Sequence, residues 1–237
     1  MSGHSKWATT KRHKAVIDSK RAGIFTKIAN IISIAAREKG GDPETNFSLR
    51  LAIEKGRSVN MPKDNIERAI KRGTGEGSTS RLEEITYEGF GPGGGSIIIE
   101  TITDNKNRTF SEVRHILSKH GGNLGAPNSC LWMFEKRGVI ILTTPQLSEI
   151  QELELIEQGV DDILIQDDTS TLYMKPELLQ VIKSKVESLS LVIENAQVSY
   201  EPTTTVQTPN EDQEKLEKLF EEIDDHNDVL NYYSNYA

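Results

Sequence analysis

The sequence predicts a multidomain protein of α and α+β class: an N-terminal helical domain, an α+β domain, and a ferredoxin-like β-α-β-β-α-β stretch. Three observations carry that expectation. Charge divides the 237 residues unevenly, with sixteen Lys/Arg against seven Asp/Glu in residues 1–75 and twelve against twenty-nine in residues 76–237. Apolar spacing is helical up to Gly73 and moves toward alternation beyond a Gly/Ser/Thr linker at residues 74–80. Residues 138–200 then run through strand, helix, two strands, helix and strand in an order of their own.

The first twenty-odd residues are polar and basic, with Trp7, Val16 and Ile17 as sparse apolar positions. Too little can be buried there to hold a helix, so a partly mobile arm that orders on a partner is expected. From Ile24 the spacing of Ile24, Ile28, Ile31, Ile32 and Ala35 marks one helical stripe, which Gly40-Gly41-Asp42-Pro43 ends. A second helix is predicted from Asn46 to Ser58 on Leu49, Ala52 and Ile53. A third starts at Pro62, packs through Ile66, Ala69 and Ile70, and stops at Gly73.

Beyond the linker, Glu84–Tyr87 and Ser96–Thr103 read as strands joined by the glycine-rich run Gly89–Gly95. A helix opens at Asn107-Arg108-Thr109, turns Val113, Ile116 and Leu117 inward, and ends at His120-Gly121-Gly122; a strand is expected at Cys130–Glu135. In the next stretch, Val139–Leu142, Asp162–Ile165, Thr171–Met174 and Val192–Tyr200 are strands, and Gln146–Gln158 and Pro176–Ser188 are helices. An acidic helix near Asn210–Asp225 carries Leu216, Leu219, Phe220 and Ile223 on one edge. The aromatic tail from Asp228 to Tyr233 is expected to pack back on the middle of the chain.

Composition removes several function classes. The single Cys130 excludes an intramolecular disulfide and a multi-thiolate zinc site. Its neighbours Leu131, Trp132, Met133 and Phe134 favour a buried structural thiol over a nucleophile. The N-terminus lacks a signal-peptide core, and no run approaches eighteen apolar residues, so a soluble intracellular protein without a membrane span is expected. The Gly89–Gly95 run lies between two strands with no following Gly-Lys-Ser/Thr. It therefore reads as a wide turn rather than a phosphate loop. His115 and His120 diverge on a helix, and the pairs Asp161-Asp162 and Asp167-Asp168 read as turn carboxylates. No catalytic, metal or cofactor site is predicted.

The basic residues are left to carry function. Lys6, Lys11, Arg12, Lys14, Lys20 and Arg21 face only Asp18 in opposition, the footprint of a phosphate-backbone binder. Neutralising about six phosphates would give a salt slope near −5 on duplex DNA. His13 lies inside this cluster, and Trp7 suits either stacking on an unpaired base or docking on the helices. Lys27, Arg68, Lys71 and Arg72 complete the candidate nucleic-acid-binding set. For the last three, complementing the dipole of a helix C-terminus is an alternative role.

Several strings resemble one family closely. They are Gly3-His4-Ser5-Lys6-Trp7, Ile24-Phe25-Thr26-Lys27, the run from Asn60 to Gly75, Tyr87–Gly94, Thr103–Thr109, Ser118–Gly125 and Trp132-Met133-Phe134-Glu135. In this order they resemble the YebC family of bacterial regulators, which includes the mitochondrial translational activator of cytochrome oxidase. The resemblance spans essentially the whole chain. Departures are modest: Ala8-Thr9-Thr10, Gly56-Arg57-Ser58-Val59 and the aromatic tail differ from the usual pattern.

The resemblance implies three domains with the ferredoxin-like one inserted in the second: 1–77, then 78–136 with 203–237, and the insert 137–202. It also implies a cytoplasmic, non-enzymatic regulator binding DNA, with some relatives acting on translation at the ribosome or the message. Three functional expectations follow: a DNA-binding transcriptional regulator, a translation factor on ribosomal RNA, or a protein-interaction module acting through the acidic C-terminal half. Either nucleic-acid reading places the contact on the basic arm. The sequence contains no clear helix-turn-helix, zinc finger or basic zipper, which favours shape-based contact over base readout. No membrane partner and no particular oligomeric state are predicted.

Overall fold

A computed structural model describes residues 21–75, 82–143, 146–166, 169–208 and 212–237. The chain forms two compact units, Met1–Met133 with Pro202–Ala237, and Phe134–Glu201. In chain order the described helices are α1 (Arg21–Lys39), α2 (Phe47–Ser58), α3 (Lys63–Gly73), α4 (Lys106–Lys119), α5 (Glu149–Glu157), α6 (Leu179–Ser188) and α7 (Gln213–Asp225). The strands are β1 (Glu83–Phe90), β2 (Ser96–Thr103), β3 (Asn123–Leu124), β4 (Phe134–Leu142), β5 (Val160–Gln166), β6 (Thr169–Met174), β7 (Ile193–Pro202) and β8 (Val229–Ser234).

The N-terminal helices share one core, with α1 as its spine. Ile28, Ile32, Ala35 and Ala36 of α1 meet Leu49, Ala52 and Ile53 of α2 and Ile66 and Ala69 of α3, with Met61 closing the turn between them. Asn46 fixes the α1–α2 corner. Its Oδ1 accepts the Leu49 amide (3.1 Å) as the α2 cap, while Nδ2 donates to the carbonyls of Ala35 (2.7 Å) and Gly40 (2.8 Å). One buried side chain thus satisfies the end of one helix and the start of the next. Helix α3 ends at Gly73, as the sequence suggests, but not through a left-handed glycine. Gly73 is the last helical residue, and a Cβ there would lie 2.1 Å from the Ser33 carbonyl oxygen, so its smallness lets α3 cross α1 closely. The left-handed residue is Gly75, at φ +90°.

The rest of this unit is a four-stranded sheet in the order β3-β1-β2-β8. The hairpin β1–β2 pairs Glu83 with Thr103 through to Phe90 with Ser96, and β8 lies antiparallel on the far side of β2. Helices α4 and α7 cover it. Val113, Ile116 and Leu117 from one, and Leu216, Leu219, Phe220 and Ile223 from the other, pack on Tyr87, Ile97 and Ile99. The C-terminal segment therefore completes both the sheet and its core.

The glycine-rich run between β1 and β2 contains a 3-10 turn at Pro92–Gly94. The ring of Tyr236 lies against it: a Cβ on Gly95 would sit 2.3 Å from Tyr236 Cζ, and one on Gly91 2.6 Å from the phenol oxygen. The Tyr236 hydroxyl donates to the Pro92 carbonyl (2.6 Å). The glycines make room for a side chain from the chain's own end.

The strand expected at Cys130–Glu135 starts instead at Phe134, and residues 131–133 form a 3-10 turn. The cause lies in Glu88, whose carboxylate takes the amides of Cys130 and Leu131, which a ladder would need. In the second unit the elements β4-α5-β5-β6-α6-β7 build a sheet in the order β5-β6-β4-β7. Strand β6 pairs antiparallel with both β4 and β5. Its core holds Ile140, Leu142, Leu155, Leu172, Met174, Ile182 and Val186. Ser148 and Gln151 form a capping box at the start of α5.

Candidate nucleic-acid interface

Residues 21–75 hold eleven Lys/Arg against six Asp/Glu, and the helices concentrate them at their ends. Arg37 and Lys39 close α1, Lys55 and Arg57 close α2, and Lys71 and Arg72 close α3. Cations in a last turn complement the helix dipole. Of these six, Arg37, Lys39, Lys55, Arg57 and Lys71 are exposed.

Arg72 is different. Its Nε donates to Ser33 Oγ (2.9 Å), and its Nη2 donates to Asn30 Oδ1 (2.8 Å) and the Ala29 carbonyl (3.2 Å). Asn30 and Ser33 are buried on α1, and the Ser33 hydroxyl lies 2.8 Å from the carbonyls of both Ala29 and Ala69. Burial lowers the guanidinium pKa. Arg72 is thus a polar clamp between α3 and α1.

The other predicted residues are distributed unequally. Lys6, Trp7, Lys11, Arg12, His13, Lys14 and Lys20 lie outside the described residues, and Arg21 opens α1. Lys27 Nζ donates to the Asp224 carbonyl (2.5 Å) at the end of α7. Arg68 is exposed and hydrogen-bonds along its own helix, to the Asp64 carbonyl (3.2 Å) and to Asn65 Oδ1. Lys71 is exposed.

Three polar features lie in the sheet-bearing part. Glu88 is buried and accepts the backbone amides of Asn128 (2.5 Å), Cys130 (2.8 Å) and Leu131 (2.7 Å). Burial pushes its carboxyl pKa up, but these amide donors outweigh it and hold the group below the usual carboxylate range. Beside it, burial and the Glu88 charge push the Cys130 thiol up, away from thiolate chemistry. The clamped turn presents Trp132 at 74% exposure, its indole N–H donating to the Ser129 carbonyl (3.2 Å). Sequence reasoning placed Trp132 in an apolar run. The Glu88 bracket, formed by residues forty positions apart, gave no local signal.

The second feature surrounds Asp228. Its Oδ2 accepts from Arg108 Nη2 (2.8 Å) and Thr109 Oγ1 (2.7 Å). His226 Nδ1 accepts the Asp228 amide (3.2 Å), so Nε2 carries the proton that faces Glu112 Oε2 (2.9 Å). Glu112, His226 and Asp228 bring their ligand atoms within 4.8 Å of one another. The Arg108 guanidinium, however, already supplies the positive charge there. Burial raises the Asp228 pKa, while Arg108 and Thr109 bring it down to a net depression. The third feature is Glu222, held below its ordinary range by Lys119 (2.9 Å) and His120 (2.7 Å).

Two family models match this chain. The model described as "TACO1/YebC protein N-terminal domain" covers residues 5–76, and "TACO1/YebC second and third domain" covers residues 82–236. The chain belongs to the TACO1/YebC family. A relative from Desulforamulus reducens named "Probable transcriptional regulatory protein" is 44% identical over 239 residues, covering 100% of this chain and 99% of its own. One of the same name from Thermoanaerobacter pseudethanolicus is 46% identical, covering 99% and 96%. The crystal structure of a conserved hypothetical protein, Aq1575 from Aquifex aeolicus, matches with a TM-score of 0.88. It is 41% identical and covers 98% of this chain and 97% of that one.

Most of the YebC-like strings fall on close internal contacts. Gly73 and Arg72 fix the α1–α3 crossing, Glu88 and Gly91 fix the β1–β2 end, and Arg108 and Thr109 hold Asp228. Lys71 and Trp132 are string residues whose side chains face solvent.

Proposed function

We propose that this protein is a non-enzymatic, nucleic-acid-binding regulator of gene expression that contacts backbone phosphates through its basic N-terminal arm. The observation that carries this reading is the charge split, sixteen Lys/Arg against seven Asp/Glu in residues 1–75 on a body with the opposite balance. Relatives named as transcriptional regulatory proteins, matched along at least 96% of their length, support the regulatory part and favour DNA as the first target.

In this reading Lys6, Lys11, Arg12, Lys14, Lys20 and Arg21 neutralise phosphates, with Trp7 and His13 among them, and Arg68 and Lys71 extend the contact onto α3. Arg72, half-buried with its donors on Ser33, Asn30 and Ala29, positions α3 on α1 instead, while Lys27, whose Nζ bonds the Asp224 carbonyl at the surface, lies at the edge of the contact. Trp132 offers an open indole face suited to an unpaired base. The division into 1–77, 78–136 with 203–237, and a ferredoxin-like insert 137–202 belongs to the same proposal, as does a cytoplasmic location. The β-α-β-β-α-β order and central β6-β4 pair support it, and among the described residues no helix is long and apolar enough to cross a membrane.

The acidic body favours a second target, the ribosome, where a basic arm can enter an RNA-lined cavity while the body stays outside. Sedimentation of cell lysate through sucrose at low and raised salt tests both targets, with the wild type beside a variant carrying Ala at Lys6, Lys11, Arg12 and Lys14. Salt-sensitive co-migration with ribosomes, lost in the variant, assigns translation. Wild type at the top of the gradient, with arm-dependent duplex binding in titration, assigns DNA. Binding to neither overturns the proposal.

A further inference from the structure

Helix α5 has two apolar faces. Leu155 is buried against its own sheet, while Ile150, Leu153 and Ile156 stand 69%, 61% and 54% exposed on the side turned away from it. Single exposed aliphatics are common, but three on one helix face are not. The helix itself carries four glutamates and no Lys or Arg. Residues 138–174 contain eight Asp/Glu and no Lys or Arg. Glu149 and Glu157 lie beside the stripe and Glu152 and Glu154 along its edges, by helical spacing. Lys185 of α6 pairs with Glu154.

We propose that the outer face of α5 is a docking site for a Lys/Arg-rich amphipathic helix of a partner protein. The three aliphatics supply an i, i+3, i+6 row that fits the apolar side of such a helix. The carboxylates around them meet its basic rim. Charge complementarity selects this occupant. A second copy of the same face would set glutamate against glutamate, and nucleic acid or an anionic lipid surface would be repelled by the same field. The site is independent of the phosphate contacts assigned to the basic arm.

The probe is an eighteen-residue peptide of Leu and Lys with Leu on one helical face, titrated against the full chain by fluorescence anisotropy. A scrambled peptide of equal composition and a Leu/Glu peptide of the same pattern serve as controls. The patterned basic peptide is expected to bind at least about tenfold more tightly than either control. Ile150→Gln with Leu153→Gln, both at exposed positions, is expected to weaken it by about tenfold or more. Glu149→Gln with Glu157→Gln is expected to reduce the salt dependence of what remains. Thermal unfolding of each variant at the wild-type midpoint keeps the comparison valid. Equal binding of the scrambled peptide, or no effect of the Gln pair at the stripe, overturns the proposal. So does concentration-dependent self-association that Leu153→Gln abolishes, because the face would then take a second copy.

Discussion

A buried carboxylate that gathers three backbone amides makes a specific demand on pH. Because the Glu88 carboxyl is depressed in the folded chain, its contribution is complete above the ordinary glutamate range and is lost as pH falls through the depressed value. Glu88→Gln keeps the shape but replaces an ionised acceptor by a neutral one whose amide group opposes the donors. The change should lower stability near neutral pH by about 2 kcal/mol in urea unfolding. It should also flatten the loss of stability below pH 5, and an unchanged acid limb would mean that the three amides find other partners. Tyr236 acts at the other end of the scale. Burial pushes its phenol up to about 12, so its contribution is complete below pH 10 and disappears as pH rises through the folded value. Gly95→Ala should cost about 3 kcal/mol, since a methyl would occupy the place of the Tyr236 ring. In a Tyr236→Ala background the same change should cost far less, and a double-mutant cycle measures that coupling.

At the scale of elements, the seam between α1 and α3 separates positioning from contact. Arg72→Ala removes a half-buried clamp, and with it the guanidinium donors to Asn30 Oδ1 and Ser33 Oγ. It should cost about 2 kcal/mol of stability. Lys71→Ala, one residue away and exposed, should leave stability within about 0.5 kcal/mol while weakening nucleic-acid binding. Chemical denaturation and a binding titration on both variants check this, and equal effects on stability would undo the distinction. The same seam marks the limit of sequence reading. The apolar periods of α1, α2 and α3 were legible because each helix buries one face on the same core. The reason for Gly73 was not, because it lies in the approach of Ser33, forty residues earlier. Likewise the β1–β2 hairpin and α4 could be read from spacing, whereas β3, only two residues long, is too short for any alternation to register. The start of β4 was hidden because Glu88 removes donors from the ladder. Local periodicity reports burial; it is blind to a side chain that arrives from a distant segment.

For the whole molecule the dominant quantity is the charge imbalance, which was legible in the sequence because electrostatic fields add over residues without regard to fold. What spacing could not supply was which cations the fold takes up in its own packing, as it does Arg72. The phosphate contact should therefore rest on the arm, and salt dependence isolates it. Each neutralised phosphate on duplex DNA contributes about −0.9 to the slope of log affinity against log salt, so the six cations of the arm should contribute about −5. Deleting residues 1–20 removes Lys6, Lys11, Arg12, Lys14 and Lys20. The slope should flatten by about 4. Replacing Lys55, Arg57 and Lys71 by Ala in the full chain should flatten it by no more than about 3, because that is the largest change three cations can make. Anisotropy titrations between 50 and 200 mM salt read both numbers. A slope that survives the deletion would move the contact onto the helix ends. A slope that survives both changes would leave no phosphate contact in the basic head, and the regulatory reading would have to stand on protein partners of the acidic body.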